Sequence, residues 1–257
     1  MEVMEFLHVV ILAIVEGITE FLPVSSTGHL ILAGNLLGIP PTSFTKSFDI
    51  AIQLGAIAAI LTLYAQTLLT KRELWIRLFV ALAPTLVVGL VLYPFIKTVL
   101  LENTTVTVSA LFIGGIMLLV AEKFFKNRPG VSAGFMPLKT ALGIGAFQAL
   151  SVVPGVSRAA ATIVGGMLLG LPRGKAVEFS FLLAVPTMLA ATSLDLVKHG
   201  GEFSSQQVYL IVVGAGIAWI TAIVTVRFFV KFVQKHTLVP FAIYRILLAA
   251  AFFFLVD

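Results

Sequence analysis

The 257-residue chain has no cysteine, and only 11% of its residues are charged, against roughly 25% in an ordinary soluble domain. The first absence excludes a disulfide, a thiol nucleophile, a thiolate metal site and an iron–sulfur cluster. The second, set beside 59% hydrophobic residues, excludes a conventional soluble enzyme. No polar block is long enough to form a second domain, so one membrane domain over residues 1–257 is expected. A basic patch interleaved with aromatics is also missing. The net charge is only +5 and the lysines and arginines are scattered between apolar segments, which speaks against a nucleic-acid partner. The start, Met1-Glu2-Val3-Met4-Glu5-Phe6, lacks a basic n-region and a small-residue cleavage site, so it is expected to stay in the mature chain.

What is there is a series of long apolar runs. A membrane span needs about 20 mainly apolar residues, and six segments come close: Phe48 to Leu69, Leu78 to Phe95, Val106 to Val120, Phe179 to Val197, Val208 to Val226 and Leu238 to Val256. Two further regions, Met1 to Leu37 and Leu138 to Leu171, are broken near the middle. The breaks are Pro23-Val24-Ser25-Ser26-Thr27-Gly28 and Pro154-Gly155-Val156-Ser157-Arg158. Each reads as a re-entrant pair of half-helices. The expected fold is therefore an all-α polytopic membrane protein with six full transmembrane helices and two re-entrant hairpins.

Aligning Pro23 with Pro154, 131 residues apart, also brings Ser26 onto Ser157, Gly34 onto Gly165 and Phe48 onto Phe179. The charges give an independent reading. Lysine and arginine favour cytoplasmic loops, and twelve of the seventeen basic residues fall in four connections: Lys71, Arg72 and Arg77; Lys123, Lys126, Arg128 and Lys139; Arg173 and Lys175; Arg227, Lys231 and Lys235. The alternate connections hold only Lys46, Lys97 and Lys198. Placing the basic set inside makes Phe48 to Leu69 run inward and its mate Phe179 to Val197 run outward. The expectation is a pair of inverted-topology repeats, 1–125 and 138–257, with the breaks meeting near the bilayer midplane and the termini, acidic at Glu2, Glu5 and Asp257, outside.

Ionisable groups inside a membrane are costly and mark functional sites or ion pairs. Glu16 and Glu20 are four apart, so on a continuing helix their carboxylates share one face within reach of one cation. Ser25, Ser26 and Thr27 stand at the start of a helix, where hydroxyls cap free N–H groups and the positive dipole end attracts anions. His29 follows. The second break offers Ser157 and Arg158, with Thr162 one turn further; the planar fork of Arg158 suits phosphate oxygens, and its bland role is an ion pair with Glu16 or Glu20. Asp49, Gln53, Glu178, Asp195 and Arg245 read as packing or supporting groups, and His8, His199 and His236 have no companions for a metal site.

At these positions the chain resembles the undecaprenyl-pyrophosphate phosphatase family of bacitracin-resistance type. The stretch Glu16-Gly17-Ile18-Thr19-Glu20-Phe21-Leu22-Pro23-Val24-Ser25-Ser26-Thr27-Gly28-His29 is similar to its first signature. Pro154-Gly155-Val156-Ser157-Arg158 with Thr162 is similar to its second, and runs at Ile52 to Gly55, Glu178 to Pro186 and Pro240 to Arg245 extend the likeness over nearly the whole chain. One hydroxyl is missing, since Ala159 stands where the family usually has a second serine. The resemblance implies an integral membrane hydrolase that converts a polyprenyl pyrophosphate to the monophosphate and phosphate, recycling the lipid carrier of cell-wall peptidoglycan synthesis, with a divalent cation, Mg2+ or Ca2+. On this expectation Ser26 attacks phosphorus, the rival being direct attack by a metal-bound water with Ser26 only binding phosphate; His29 accepts or donates a proton, Glu16 and Glu20 hold the cation or orient the nucleophile, and Arg158 with Ser25, Thr27, Ser157 and Thr162 binds phosphate. The expected location is the cell (inner) membrane with the site opening to the outer, periplasmic side, and a homodimer is one candidate assembly. The rival reading is a transporter or flippase of a lipid phosphate or small anion, which also suits an inverted repeat. The serine, histidine and paired acids exceed what anion binding alone requires and favour the enzyme.

Overall fold

In lipid a backbone can satisfy its polar groups only within helices or a closed barrel, and this chain forms helices. The computed structural model describes residues 4–92, 104–125, 136–199 and 203–255, and no strand occurs among them. The helices are α1 (Phe6–Thr19), α2 (Ser26–Leu36), α3 (Ser43–Thr70), α4 (Arg72–Val91), α5 (Thr104–Phe125), α6 (Leu138–Ala149), α7 (Arg158–Leu168), α8 (Arg173–His199), α9 (Ser205–Lys235) and α10 (Val239–Leu255). A 3-10 turn, Leu150–Val152, follows α6.

Five of them, α3, α4, α5, α8 and α9, are long and apolar enough to cross a membrane. The protein is a multi-pass membrane protein. These helices match five of the six expected spans, each starting before its apolar run because polar first turns and caps belong to the helix too. Thr42 caps α3 through the Thr45 N–H, and Ser204 and Gln207 close a capping box on α9. The sixth expected span corresponds to α10, which has 17 residues. The expected end of the second span at Phe95 lies outside the described residues, as do Glu2, Lys97, Lys126, Arg128, Asp257 and the side chains of Asp195, Lys198 and His199. Large apolar side chains such as Leu90, Ile113, Val212 and Phe228 remain exposed on the long helices, as lipid-facing positions do.

Packing crosses between the two halves of the chain. Helix α1 lies along α9, α6 along α4, α3 against α8 and α9, and α5 against α10. Small residues permit the approach: a Cβ on Gly17 would strike Ala218 and Thr221 of α9, and one on Gly145 would strike the Ala81 backbone of α4.

Polar bonds gather the connections. Arg77 Nε donates to the Met136 carbonyl at 2.7 Å, tying the start of α4 to the segment before α6. Near the end of α5, Glu122 accepts two bonds from Arg173, at 2.8 and 2.7 Å, and one from the Leu238 N–H at 2.8 Å. Arg173 also donates to the His236 carbonyl. The four connections joined in this way are the basic ones. Elsewhere, Met4, Phe44 and Leu210 share an apolar cluster with Phe203 against it.

Candidate active site

Each hairpin turns on a serine with positive φ. Ser25 has φ 73 and ψ 94, Ser157 has φ 71 and ψ 115, and among the described residues these are the only non-glycine residues with positive φ. Such a conformation costs on the order of 1–3 kcal/mol and persists where its surroundings hold it. Each serine side chain caps the next helix, accepting from the Gly28 N–H at 3.4 Å and from the Ala160 N–H at 3.2 Å. The far ends of α2 and α7 match as well. Gly38 and Gly170 both have positive φ, and Ile39 N–H to Gly34 O repeats as Leu171 N–H to Gly166 O, each 2.9 Å.

These pairs are 132 residues apart (157 − 25, 166 − 34, 170 − 38). The proline alignment at 131 is therefore one residue out of register. Prolines sit in loops whose lengths differ, whereas caps fix where a helix begins and ends. In the backbone register Ser26 stands opposite Arg158, each the first residue of its helix.

Those two residues meet. Helix geometry carries through Glu20 (φ −61, ψ −42), whose N–H bonds to the Glu16 carbonyl at 2.9 Å, so both acids lie one turn apart and both are buried. Glu20 Oε2 accepts the Ser26 hydroxyl at 2.5 Å, and its Oε1 accepts from Arg158 Nη2 at 3.1 Å. Arg158 also donates to the Ser180 carbonyl of α8 at 2.8 Å and lies over the Phe21 ring at 5.8 Å. Phe21 in turn meets Phe181 edge-on, and Phe181 packs on Phe229, so the site rests on an aromatic floor.

Some bonding capacity is unspent. Among the described residues, no hydrogen-bond partner reaches either oxygen of buried Glu16, and none reaches Oδ1 of Asp49. The Arg158 Nε–H is buried and equally without an acceptor. Of the paired acids only Glu20 is bonded to the arginine, which leaves Glu16 without a partner and the arginine with a free donor. The free Glu16 oxygens are hard donors of the kind a divalent cation takes, although among the described residues no three metal-binding side chains are gathered.

The other expected residues are placed differently. Nδ1 of His29 donates to the Ser25 carbonyl at 2.7 Å, so Nε2 of the neutral ring accepts from the Tyr244 hydroxyl, also 2.7 Å away, and the two rings stack. Neither nitrogen is bonded to Ser26. The Thr162 hydroxyl lies 2.9 Å from the Arg158 carbonyl and 2.7 Å from the Ser180 hydroxyl, which locks α7 onto α8. Thr27 is exposed on the first turn of α2. Ala159 is 1% exposed within the main apolar core.

Sequence reasoning missed the Ser180 carbonyl, the Phe21 floor and the Tyr244 hydroxyl, and it ranked Arg245 among packing groups. Arg245 is fully buried and donates to five backbone carbonyls, those of Pro23, Ala110, Leu111, Gly155 and Val156. An arginine within an apolar run was the one available signal.

Fold and site together define a class, a multi-pass helical membrane protein in which a hydroxyl, paired acids and an arginine converge at two helix starts suited to a phosphate group. More particularly, the chain belongs to the family of the bacitracin resistance protein BacA, whose model matches residues 9–251. It is 48% identical over 248 residues to an undecaprenyl-diphosphatase of Aquifex aeolicus, covering 95% of this chain and 97% of the relative. With the enzyme of the same name from Thermus thermophilus it shares 49% over 250 residues, 95% and 96% of the two chains. With that of Wolinella succinogenes it shares 47% over 259 residues, 99% of each.

Proposed function

We propose that the protein is a membrane phosphatase that hydrolyses undecaprenyl pyrophosphate to the monophosphate and inorganic phosphate where Ser26 and Arg158 meet on Glu20. The observation that carries this reading is the pair of bonds on Glu20, which sets a hydroxyl and a phosphate-binding cation on one carboxylate. The name shared by the relatives supports the substrate and favours hydrolysis over transport alone.

Ser26 Oγ attacks the terminal phosphorus, its proton passes to Glu20, and the bond from phosphorus to the bridging oxygen breaks. Polyprenyl monophosphate leaves and takes the proton. Water then attacks the phosphoserine, its proton returns to Ser26, and inorganic phosphate departs. The free Arg158 Nε–H and the N–H groups opening α2 and α7 hold the phosphate oxygens. His29 keeps the start of α2 in place through Ser25, Thr162 braces Arg158 through Ser180, and Ser25 and Ser157 act as caps. Glu16, with Glu20 as second ligand, would hold a divalent cation such as magnesium or calcium, which when bound neutralises phosphate charge.

The same reading takes residues 1–125 and 138–257 as inverted repeats of one membrane domain, with six spans and two re-entrant hairpins. Matching of α1 on α9 with α6 on α4, and the bond from Thr192, in the later part of α8, to the Ile50 carbonyl, in the early part of α3, support it. At about 1.5 Å per residue, α10 reaches roughly 25 Å, the short end of a span. The basic end lies inside and the site opens outward from the cell membrane. Asn103→Cys should then react with an impermeant external reagent and Asn127→Cys should not.

Phosphate release by purified protein in detergent, titrated with magnesium and calcium, tests the function. Release from polyprenyl pyrophosphate, abolished in Glu20→Gln, is expected; a pure transporter releases none.

A further inference from the structure

The site has two halves that approach from separate hairpins, and something must set the distance between them. Arg245 of α10 reaches both. Its Nη1 donates to the Pro23 carbonyl at 3.2 Å and the Val156 carbonyl at 2.9 Å, and its Nη2 donates to the Gly155 carbonyl at 2.8 Å. The remaining donors go to α5, with Nη2 to Ala110 O and Nε to Leu111 O, both 3.2 Å. All five guanidinium N–H groups are thus spent on backbone carbonyls. Among the described residues no carboxylate pairs with this cation.

Pro23 lies three residues before Ser26, and Val156 lies two before Arg158. A shift of either loop relative to α10 therefore moves one reacting group against the other. The neighbouring sequence makes room for this arrangement. A Cβ on Gly114 would run into the Arg245 guanidinium, and one on Gly155, whose φ is +91, would run into the Thr107 carbonyl of α5. Packing of α5 on α10 also rests on Gly115 against Ala242 and Ile246, which does not involve the guanidinium.

We propose that Arg245 is a positioning residue: by clasping the carbonyls of both breaks against α5, it sets the spacing of Ser26 and Arg158 across Glu20. Its guanidinium bonds to backbone carbonyls and not to Glu20, so it acts through the loops. Substrate binding draws on the prenyl tail and on Arg158, which has local supports of its own in Ser180 and Phe21. Chemistry needs both loops in register. Loss of the clasp should therefore lower kcat far more than it raises KM, since an error of about 1 Å in reacting geometry costs on the order of 100-fold.

This inference rests on the phosphatase reading, and the two fail separately. No phosphate release by the wild-type protein would refute that reading, whereas a wild-type rate in the variants would refute this one. The experiment measures kcat and KM with polyprenyl pyrophosphate for Arg245→Met, Arg245→Lys and Gly114→Ala, each normalised to folded protein by thermal unfolding. Arg245→Met should lose about 100-fold in kcat with KM changed less than about threefold. Arg245→Lys should recover under about tenfold, because an ammonium cannot reproduce a planar fork. Gly114→Ala should lower kcat through the displaced guanidinium and add no further loss in an Arg245→Met background. Should Arg245→Met fail to fold, Gly114→Ala decides: lower kcat at unchanged KM upholds the clasp. A wild-type kcat per folded molecule, or a loss confined to KM, overturns it.

Discussion

The two hairpins share their serine turns and helix ends and, on the function proposed above, divide the chemistry. Both turn on a serine with positive φ, both cap the next helix with that serine, and both end it at a positive-φ glycine. The first carries Glu16, Glu20, Ser26 and His29; the second carries Arg158 at its break, its other charged residue, Lys139, standing at the far end of α6. In the shared register Ser26 and Arg158 are the same structural position filled by a hydroxyl in one half and a guanidinium in the other. Their side chains take one oxygen each of Glu20. Matching serine caps and helix ends thus hold two different groups at one point, although the loops before them differ, with Gly155 at φ +91 where the first loop has Pro23.

If that division is right, damage to the first hairpin should stop the chemistry. Ser26→Ala and Glu20→Gln are each expected to lower kcat by about 1,000-fold or more, within the range of general acid–base effects, in a phosphate-release assay. Damage to the second hairpin should weaken the anchor. Arg158→Lys keeps the charge and loses the fork, and a fall in kcat/KM of about 100-fold is expected, carried partly by KM. A brace on the anchor matters less. Thr162→Val removes the hydroxyl between the Arg158 carbonyl and Ser180, worth about 1 kcal/mol or roughly fivefold in kcat/KM. On the first hairpin, Tyr244→Phe removes the donor to His29 and should cost about twofold to fivefold in kcat. An effect of Tyr244→Phe as large as that of Ser26→Ala would instead make His29 part of the proton path and erase the contrast.

The places of these groups were legible in the sequence to differing degrees. Glu16, Glu20, Ser26 and Arg158 stood out because a polar residue is conspicuous in an apolar chain, and the four-residue spacing of the acids survives as a shared buried face. The pairing of Arg158 with Glu20 was one of two options the charges offered. Register was not legible to the residue, because proline marks a loop while the serine caps and glycine ends mark the helix. Nor were Ser180 and Arg245, whose partnerships run through backbone carbonyls. Every residue carries a carbonyl, so nothing in the sequence says which one an arginine will find 22 or 222 positions away. Fold class was easier to read: composition excludes a soluble protein, and five of the six apolar runs became helices long enough to span a membrane.

The steric course at phosphorus tests the central claim most directly. Hydrolysis of a polyprenyl pyrophosphate whose terminal group is a chiral, isotopically labelled thiophosphate yields a product whose configuration can be assigned. Attack by Ser26 followed by attack of water involves two in-line displacements at the same phosphorus, so retention is predicted. Inversion would mean a single direct attack by water and would contradict Ser26 as the nucleophile, and with it the division of chemistry between the two hairpins.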